Sequence, residues 1–250
     1  MSSSTFRPVA IIPVYDHDAC LESIVRTLLA DNLPVILVDD ASHAHCAKVM
    51  DALAEKYEEK GVCLERHAIN GGKGAAVMTG LKAAYRLGYS HALQVDADGQ
   101  HGLESVREFL SASQNKPEAL ICGYPVYDET VPGARKSGRE ISNFWVRVNG
   151  LSNAVRDSLC GFRVYPVETM MQLFSKYRLG LRMDFDCEVL VVLLWEDVPI
   201  VNKPVCVTYP QDGVSHFRVF RDNVQISLMH TRLFFGMLLR LPKLLKRQNV

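Results

Sequence analysis

Apolar runs of five to seven residues alternate, through the first half of the chain, with stretches whose apolar positions return every three or four residues. Runs that short predict strands buried on both faces, and the three-to-four spacing predicts amphipathic helices. Strands are expected at 9–15, 34–38, 62–69, 91–95 and 119–123. Helices are expected at 43–60, 75–87 and 104–113, after a first one with Leu21, Ile24, Val25, Leu28 and Leu29 on one face and Asp18 as its N-cap. Strands alternating with helices imply a parallel sheet with crossover helices on its faces, a Rossmann-like α/β architecture.

Beyond residue 123 the pattern loosens. Residues 126–140 are rich in Pro, Gly and charge without an apolar period, which predicts a loop long enough to act as a lid. Helices are expected at 141–154 and 167–176. Asp184-Phe185-Asp186-Cys187-Glu188 then opens a buried helix through the very apolar 189–195, and 198–209 reads as a last strand.

The globular domain is placed at 1–218 and a helical tail at 219–250. From residue 218 on, seven basic residues (Arg218, Arg221, Arg232, Arg240, Lys243, Lys246, Arg247) stand against one acid, Asp222, with many Leu, Phe and Met between them. No stretch reaches the roughly 18–20 uninterrupted apolar residues of a spanning helix. A basic amphipathic helix suits peripheral membrane contact, its Lys and Arg turned to anionic headgroups. It also suits packing on the domain or on a second protomer. The clustering of basic residues at the very end favours the membrane.

Composition narrows the classes. Hydrophobic residues make up 48% of 250 residues and charged ones 22%, an ordinary globular balance with length enough for a sizeable core. Lys+Arg and Asp+Glu both number 28, so no overall field argues for nucleic acid as a partner. Seven scattered cysteines without a C-x-x-C pair predict reduced thiols in a cytoplasmic protein, not a disulfide framework or a zinc site. Residues 1–8 are polar and lack an apolar core, so no signal peptide is expected.

The polar punctuation falls on one edge of the predicted sheet. Ligands bind beyond the carboxyl ends of parallel strands, and those ends carry Tyr15-Asp16, Asp39-Asp40 and Asp96-Ala97-Asp98. Asp96 and Asp98, two apart on an extended strand end, point to one side and can converge on a cation, with Gln100 adding a neutral oxygen. Hard oxygen donors with room for water suit Mg2+ or Mn2+. Taken alone, Asp-x-Asp equally describes a solvated Asp-Gly turn.

Other motifs exclude more than they assign. Asn70-Gly71-Gly72-Lys73-Gly74 can bring a nucleotide close to a helix N-terminus, but it lacks the G-x-x-x-x-G-K-[ST] of an NTPase. No G-x-G-x-x-G follows the first strand, against a dinucleotide-binding dehydrogenase. No G-x-S-x-G surrounds Ser42, Ser158 or Ser215, against a serine hydrolase. Arg163, Lys136, Arg139 and Arg218 are candidate diphosphate ligands, and His101 and His216 candidate phosphate-facing or supporting groups. Asp186 and Glu188 are either a catalytic base or favourable charges at a helix N-terminus.

Ile12-Pro13-Val14-Tyr15-Asp16, Val38-Asp39-Asp40-Ala41-Ser42, Asn70-Gly71-Gly72-Lys73-Gly74-Ala75, Asp96-Ala97-Asp98-Gly99-Gln100-His101, Cys160-Gly161-Phe162-Arg163 and Asp184-Phe185-Asp186-Cys187-Glu188 follow one another in order. As a set they resemble the family 2 glycosyltransferases of GT-A fold, most closely the dolichyl- or polyprenyl-phosphate mannose synthase-like branch. The resemblance covers roughly residues 8–218. It implies a mostly parallel α/β sheet flanked by helices and a metal-dependent, inverting transfer of sugar from a UDP- or GDP-linked donor.

By that resemblance Pro13, Tyr15, Asp16 and Asp39 would line the base and ribose pocket, with Asn70 and Lys73 nearby. Asp96 would sit near the ribose and the metal, Asp98 and Gln100 would ligate the ion, and Arg163 would neutralise phosphate charge. The implied acceptor is a polyprenyl phosphate or another lipid at the inner face of the cytoplasmic membrane, with Lys136, Arg139, His216 and Arg218 available to it or to the diphosphate. A soluble or peptide hydroxyl acceptor is the alternative, and it would want Glu188 or Asp186 as base. A phosphate acceptor needs none. A catalytically inactive nucleotide-sugar-binding module is the reading from a different class. The first motif departs from the family, with Asp16-His17-Asp18 where Asn-Glu is usual.

Overall fold

The computed structural model describes residues 5–127, 133–208 and 219–247. Its strands are β1 (Pro8–Val14), β2 (Val35–Asp39), β3 (Val62–Arg66), β4 (His91–Gln94), β5 (Leu120–Tyr127), β6 (Arg163–Pro166) and β7 (Ile200–Val207). They form one sheet in the order β3-β2-β1-β4-β6-β5-β7. β6 runs antiparallel to β4 and β5, and the other neighbours are parallel. The expected mostly parallel sheet is therefore present. The reversed strand is the piece the sequence did not offer, being four residues long and opening on a charged side chain.

β2 and β4 are buried at every position, which requires cover on both faces. α1 (Leu21–Ala30), α2 (Ala44–Lys56) and α4 (Val106–Asn115) pack on one face. α3 (Lys73–Arg86), α6 (Val167–Lys176), α7 (Phe185–Trp195) and α8 (Val219–Leu245) pack on the other, with α5 (Gly133–Gly150) contributing Val146. All eleven residues of α7 are buried, the environment that apolarity on all sides predicts. α8 lies against α5 and α7 and buries Met229, Leu233, Met237 and Leu244. Among the described residues no helix is long and apolar enough to cross a membrane.

Several boundaries move for identifiable reasons. Asp18 does not cap α1: Cys20 holds the N-cap position without a side-chain bond, and the Asp18 carboxylate pairs with His45 at 3.0 Å. The helix expected to reach residue 60 stops at Lys56, because Tyr57 O takes the amides of Lys60 and Val62 to turn the chain into β3. β3 ends at Arg66, not 69, where His67 is drawn sideways to Asp40 and Thr79.

The greatest change lies in the expected loop at 126–140. β5 continues to Tyr127 and α5 begins at Gly133, not near Ile141. The stretch before Ile141 carries no apolar period, so the sequence shows no stripe to read there. Residues 128–132 of the expected lid lie outside the described residues.

Candidate active site

At the carboxyl ends of β1 and β2 the backbone turns through left-handed residues, Asp16 (φ 52°) and Ala41 (φ 61°). The two turns hold each other. The Asp16 amide donates to Ser42 Oγ at 3.1 Å, and the His43 amide donates to Asp16 Oδ1 at 2.7 Å. Asp39 is fully buried, and its carboxylate accepts from the Ser42 amide at 2.8 Å and Arg66 Nε at 2.7 Å. Pro13 and Tyr15, at the end of the neighbouring strand, are half-buried. Asp16 and Asp39, both expected near the nucleoside, thus also build the turns that carry them.

Asp40 organises the next loop. Its buried carboxylate accepts the amides of Gly71 and Gly72, each at 2.7 Å, and lies 2.7 Å from His67 Nδ1. Asn70 Nδ2 donates to Asp40 O, and Asn70 Oδ1 accepts from Arg182 at 3.2 Å. Gly72 sits at φ +99°, and a Cβ there would meet Leu181 O at 2.7 Å, so only glycine fits. Lys73 is thereby set at the first position of α3. Its Nζ lies 2.9 Å from Asp96 Oδ2 and 3.2 Å from Asp186 Oδ2. Burial works against charge at both ends of this cluster, and pairing overrides it. Lys73 holds the Asp96 carboxyl down to about 2, while Asp186 and Asp96 hold Lys73 above the ordinary lysine range.

Beyond β4 a cleft of about 80 Å3 is lined by Asp96, Asp98, Gln100 and His101, by Arg139 of α5, and by Cys160 and Gly161 before β6. Asp98 Oδ1 accepts the Gln100 amide at 3.0 Å, a local turn that keeps these residues together. Gly161 makes room for the acid: a Cβ there would approach Asp96 Oδ2 to 2.6 Å. Asp157 aims Arg139, accepting its Nη1 at 2.6 Å while taking the amides of Leu159 and Cys160. Burial pushes the Cys160 thiol up to about 12, so it is no nucleophile.

His101 Nδ1 is buried with no hydrogen-bond partner among the described residues. Burial lowers its pKa against the pull of Asp96 and Asp98, leaving a neutral imidazole beside two carboxylates. The described residues hold no ready set of three acidic, His or Cys ligands. Two carboxylates and an amide oxygen, in a space large enough for several waters, nevertheless fit a hard divalent ion that draws the rest of its shell from water and phosphate.

Two expected residues are turned elsewhere. Arg163 is fully buried and does not line the cleft. Its Nε donates to Cys160 O, Nη1 to Asp186 O and Nη2 to Ser158 O, each at 2.9 Å, with a longer contact to Tyr165 Oη. Those bonds consume its donors in shaping the 158–160 segment. Glu188 accepts from the Gly180 amide at 2.7 Å and Arg232 of α8 at 2.6 Å, so its carboxylate faces α8. Of the two candidate bases only Asp186 meets the cleft's charged cluster, through Lys73. The side chain of Lys136, with His216 and Arg218, lies outside the described residues. Asp40 and Asp157 were not singled out from the sequence. Their signal is weak, Asp40 lying within a motif read for Asp39 and Asp157 just before Cys160-Gly161-Phe162-Arg163, because most of their partners are backbone amides that any sequence possesses.

A mostly parallel sheet with one reversed strand, and at its carboxyl edge a cleft built on Asp-x-Asp, is the GT-A architecture. The chain belongs to glycosyl transferase family 2, whose model matches residues 9–174. It is 26% identical to a UDP-N-acetylglucosamine–dolichyl-phosphate N-acetylglucosaminyltransferase of Methanococcus voltae, over 80% of this chain and 85% of the relative. It is 24% identical to a dolichyl-phosphate beta-glucosyltransferase of Dictyostelium discoideum, over 94% of this chain and 76% of the relative. A polyprenol monophosphomannose synthase of Mycolicibacterium smegmatis is 28% identical over 68% of this chain and 65% of its own.

Solved structures with the same fold include S. aureus TarS in complex with UDP-GlcNAc, at a TM-score of 0.60 and 14% identity, covering 91% of this chain. The mannosyltransferase PcManGT from Pyrobaculum calidifontis, in complex with GDP-Man and Mn2+, gives 0.59 and 14% over 94% of this chain. The chain spans 66% and 64% of those two structures.

Proposed function

We propose that this glycosyltransferase moves a sugar from a UDP- or GDP-linked donor to a polyprenyl- or dolichyl-phosphate acceptor, with inversion and with Mg2+ or Mn2+. The observation that carries the acceptor class is the disposition of the carboxylates. Asp186 is buried with its Oδ2 bound to Lys73 and its Oδ1 without a described partner, Glu188 is closed off by Arg232, and neither lines the cleft where a base would act. An acceptor that is already an anion needs none. The names of the three relatives, each a dolichyl-phosphate or polyprenol-phosphate sugar transferase, support the same class.

On this reading an acceptor phosphate oxygen forms a bond to the anomeric carbon from the face opposite the leaving group. The bond to the donor diphosphate breaks, and the nucleoside diphosphate departs with the electron pair. Asp96, Asp98 and Gln100 would hold the divalent ion, which supplies charge neutralisation for the departing diphosphate. Arg139, steadied by Asp157, adds a fixed positive charge at the same cleft. Lys73 keeps Asp96 ionised and in place. The seven free cysteines fit a reducing compartment, hence work at the cytoplasmic face of a membrane.

The test pairs binding with turnover. Thermal shifts with UDP- and GDP-sugars, each with and without Mn2+, should show a metal-dependent rise for one nucleotide. Mass action predicts about 2.7 kcal/mol at a hundredfold excess over Kd. Transfer should follow to a short-chain polyprenyl phosphate and not to the corresponding alcohol. Absence of any shift on folded protein would overturn the donor reading, and equal transfer to the alcohol would replace the phosphate acceptor by a hydroxyl one.

A further inference from the structure

We propose that Glu188 is a positioning residue for the donor site. Its carboxylate holds the Gly180 amide, and the segment around Gly180 in turn sets the N-terminus of α3, which carries Lys73. That role rests on the donor reading proposed above, which puts Asn70, Lys73 and Asp96 around the nucleotide.

Residues 177–184, between α6 and α7, are neither helix nor strand. Backbone of this kind has to find hydrogen-bond partners outside itself. The Gly180 amide donates to Glu188 Oε2 at 2.7 Å, and the Arg182 amide donates to Asp184 Oδ1 at 3.1 Å. Glu188 is a firm anchor, 3% exposed and on a helix buried along its whole length. Its other partner, Arg232, has a side chain 57% exposed, and an ion pair at such a site contributes little. The bond to Gly180 is therefore the one through which this carboxylate acts.

The segment so held caps α3. Gly72, the N-cap, has no side chain to take the free amides of the first turn. Leu181 O supplies the acceptor instead, taking the Ala75 amide at 2.8 Å. Arg182 Nη1 donates to Asn70 Oδ1 at 3.2 Å across the same junction. The contact has no slack: a Cβ on Gly74 would meet Gly180 O at 2.8 Å. Displacing the segment displaces residues 70–75, and with them the Lys73 ammonium that lies 2.9 Å from Asp96 Oδ2. The groups disturbed are those that receive the donor, while Asp98, Gln100 and Arg139 stay in place. The signature is a rise in donor KM at a nearly constant kcat.

The experiment compares wild type, E188A, E188Q, G180A and R232Q, each well below its melting temperature. Donor KM and kcat are measured with the nucleotide selected by the thermal shifts, and the Kd of the matching nucleoside diphosphate by calorimetry. E188A should raise KM and Kd about tenfold or more, with kcat within about threefold. E188Q can still accept the Gly180 amide and R232Q leaves that bond intact, so both should stay within about twofold. G180A disturbs the segment from its other side, where a Cβ would collide with Asp184 Oδ2, and should reproduce E188A. Amide hydrogen exchange on the nucleotide-free proteins reads the link directly: Ala75 should exchange at least about tenfold faster in E188A than in wild type.

Unchanged donor affinity in E188A and G180A overturns the proposal, however far their melting temperatures fall. So does a loss of kcat in both E188A and E188Q at constant KM, which would make Glu188 the base. If E188A does not fold, G180A decides. Wild type that binds no nucleotide removes the donor reading. Wild type that binds it, with E188A binding equally well, removes only the role of Glu188.

Discussion

Arg163 and Arg139 grip the same short segment, residues 157–160, from two regions of very different character. Around Arg163 the protein is closed: the side chain is fully buried and its donors end on carbonyls and a tyrosine hydroxyl. Around Arg139 it is open. There the guanidinium is half-buried, held by Asp157, and borders a cleft in which His101 Nδ1 has no described partner. Buried polar groups are normally satisfied, so a saturated cluster reads as architecture and an unsaturated one as a place kept for a ligand. The residue type is the same in both regions; only the accounting of hydrogen bonds tells them apart.

Mutation should separate the two regions. The largest effect is expected from Asp98→Ala, a fall in turnover of about a thousandfold or more with the melting temperature preserved. A near-wild-type rate would remove Asp98 from the ion site. Arg163→Met should do the reverse of a catalytic lesion, lowering stability by about 3–5 kcal/mol in urea unfolding because it strands buried carbonyls and Asp186. Arg139→Ala should lower kcat/KM by about 10- to 100-fold for a stability loss near 1 kcal/mol. If the Arg139 variant unfolds and the Arg163 variant merely slows, the contrast is inverted.

Glu188→Gln sharpens the same contrast on α7. Gln can still accept the Gly180 amide, so activity should stay within about twofold. A hundredfold loss would restore Glu188 as the base. The smallest effect concerns pH. Burial lowers His230 to about 4, with its Nε2 left without a described partner between α8 and α5. Between that value and 6.5 the unfolded chain binds more protons than the folded one, so His230 makes stability fall as pH drops through this window. His230→Gln should flatten that part of the stability curve, measured by urea unfolding from pH 7 to pH 4.

How much of this was legible depended on whether the information was local. β1, β2 and β4 were readable because unbroken apolar runs are what burial on both faces selects. α7 was readable for the same reason, being apolar all round. β6 was not, because its place between β4 and β5 depends on neighbours some forty to seventy residues away in the chain. The start of α5 was hidden because residues 126–140 carry no apolar period in the sequence. Asp186 and Glu188 could have been separated earlier: two positions on a helix stand about 200° apart, so one cleft cannot face both.

By itself, then, the sequence determined the strands with unbroken apolar runs, the hard oxygen donors at their carboxyl ends, and the family, because each rests on residue type and short spacing. Tertiary structure decided which of several chemically equivalent groups reach the cleft. Glu188 turns to an arginine 44 positions on, Arg163 spends its donors on carbonyls, and Arg232, Lys243 and Arg247 reach Glu188, Trp195 O and Asp197. A charged side chain removed from water takes whichever partner the rest of the chain brings to it, and that choice is made only when distant segments meet.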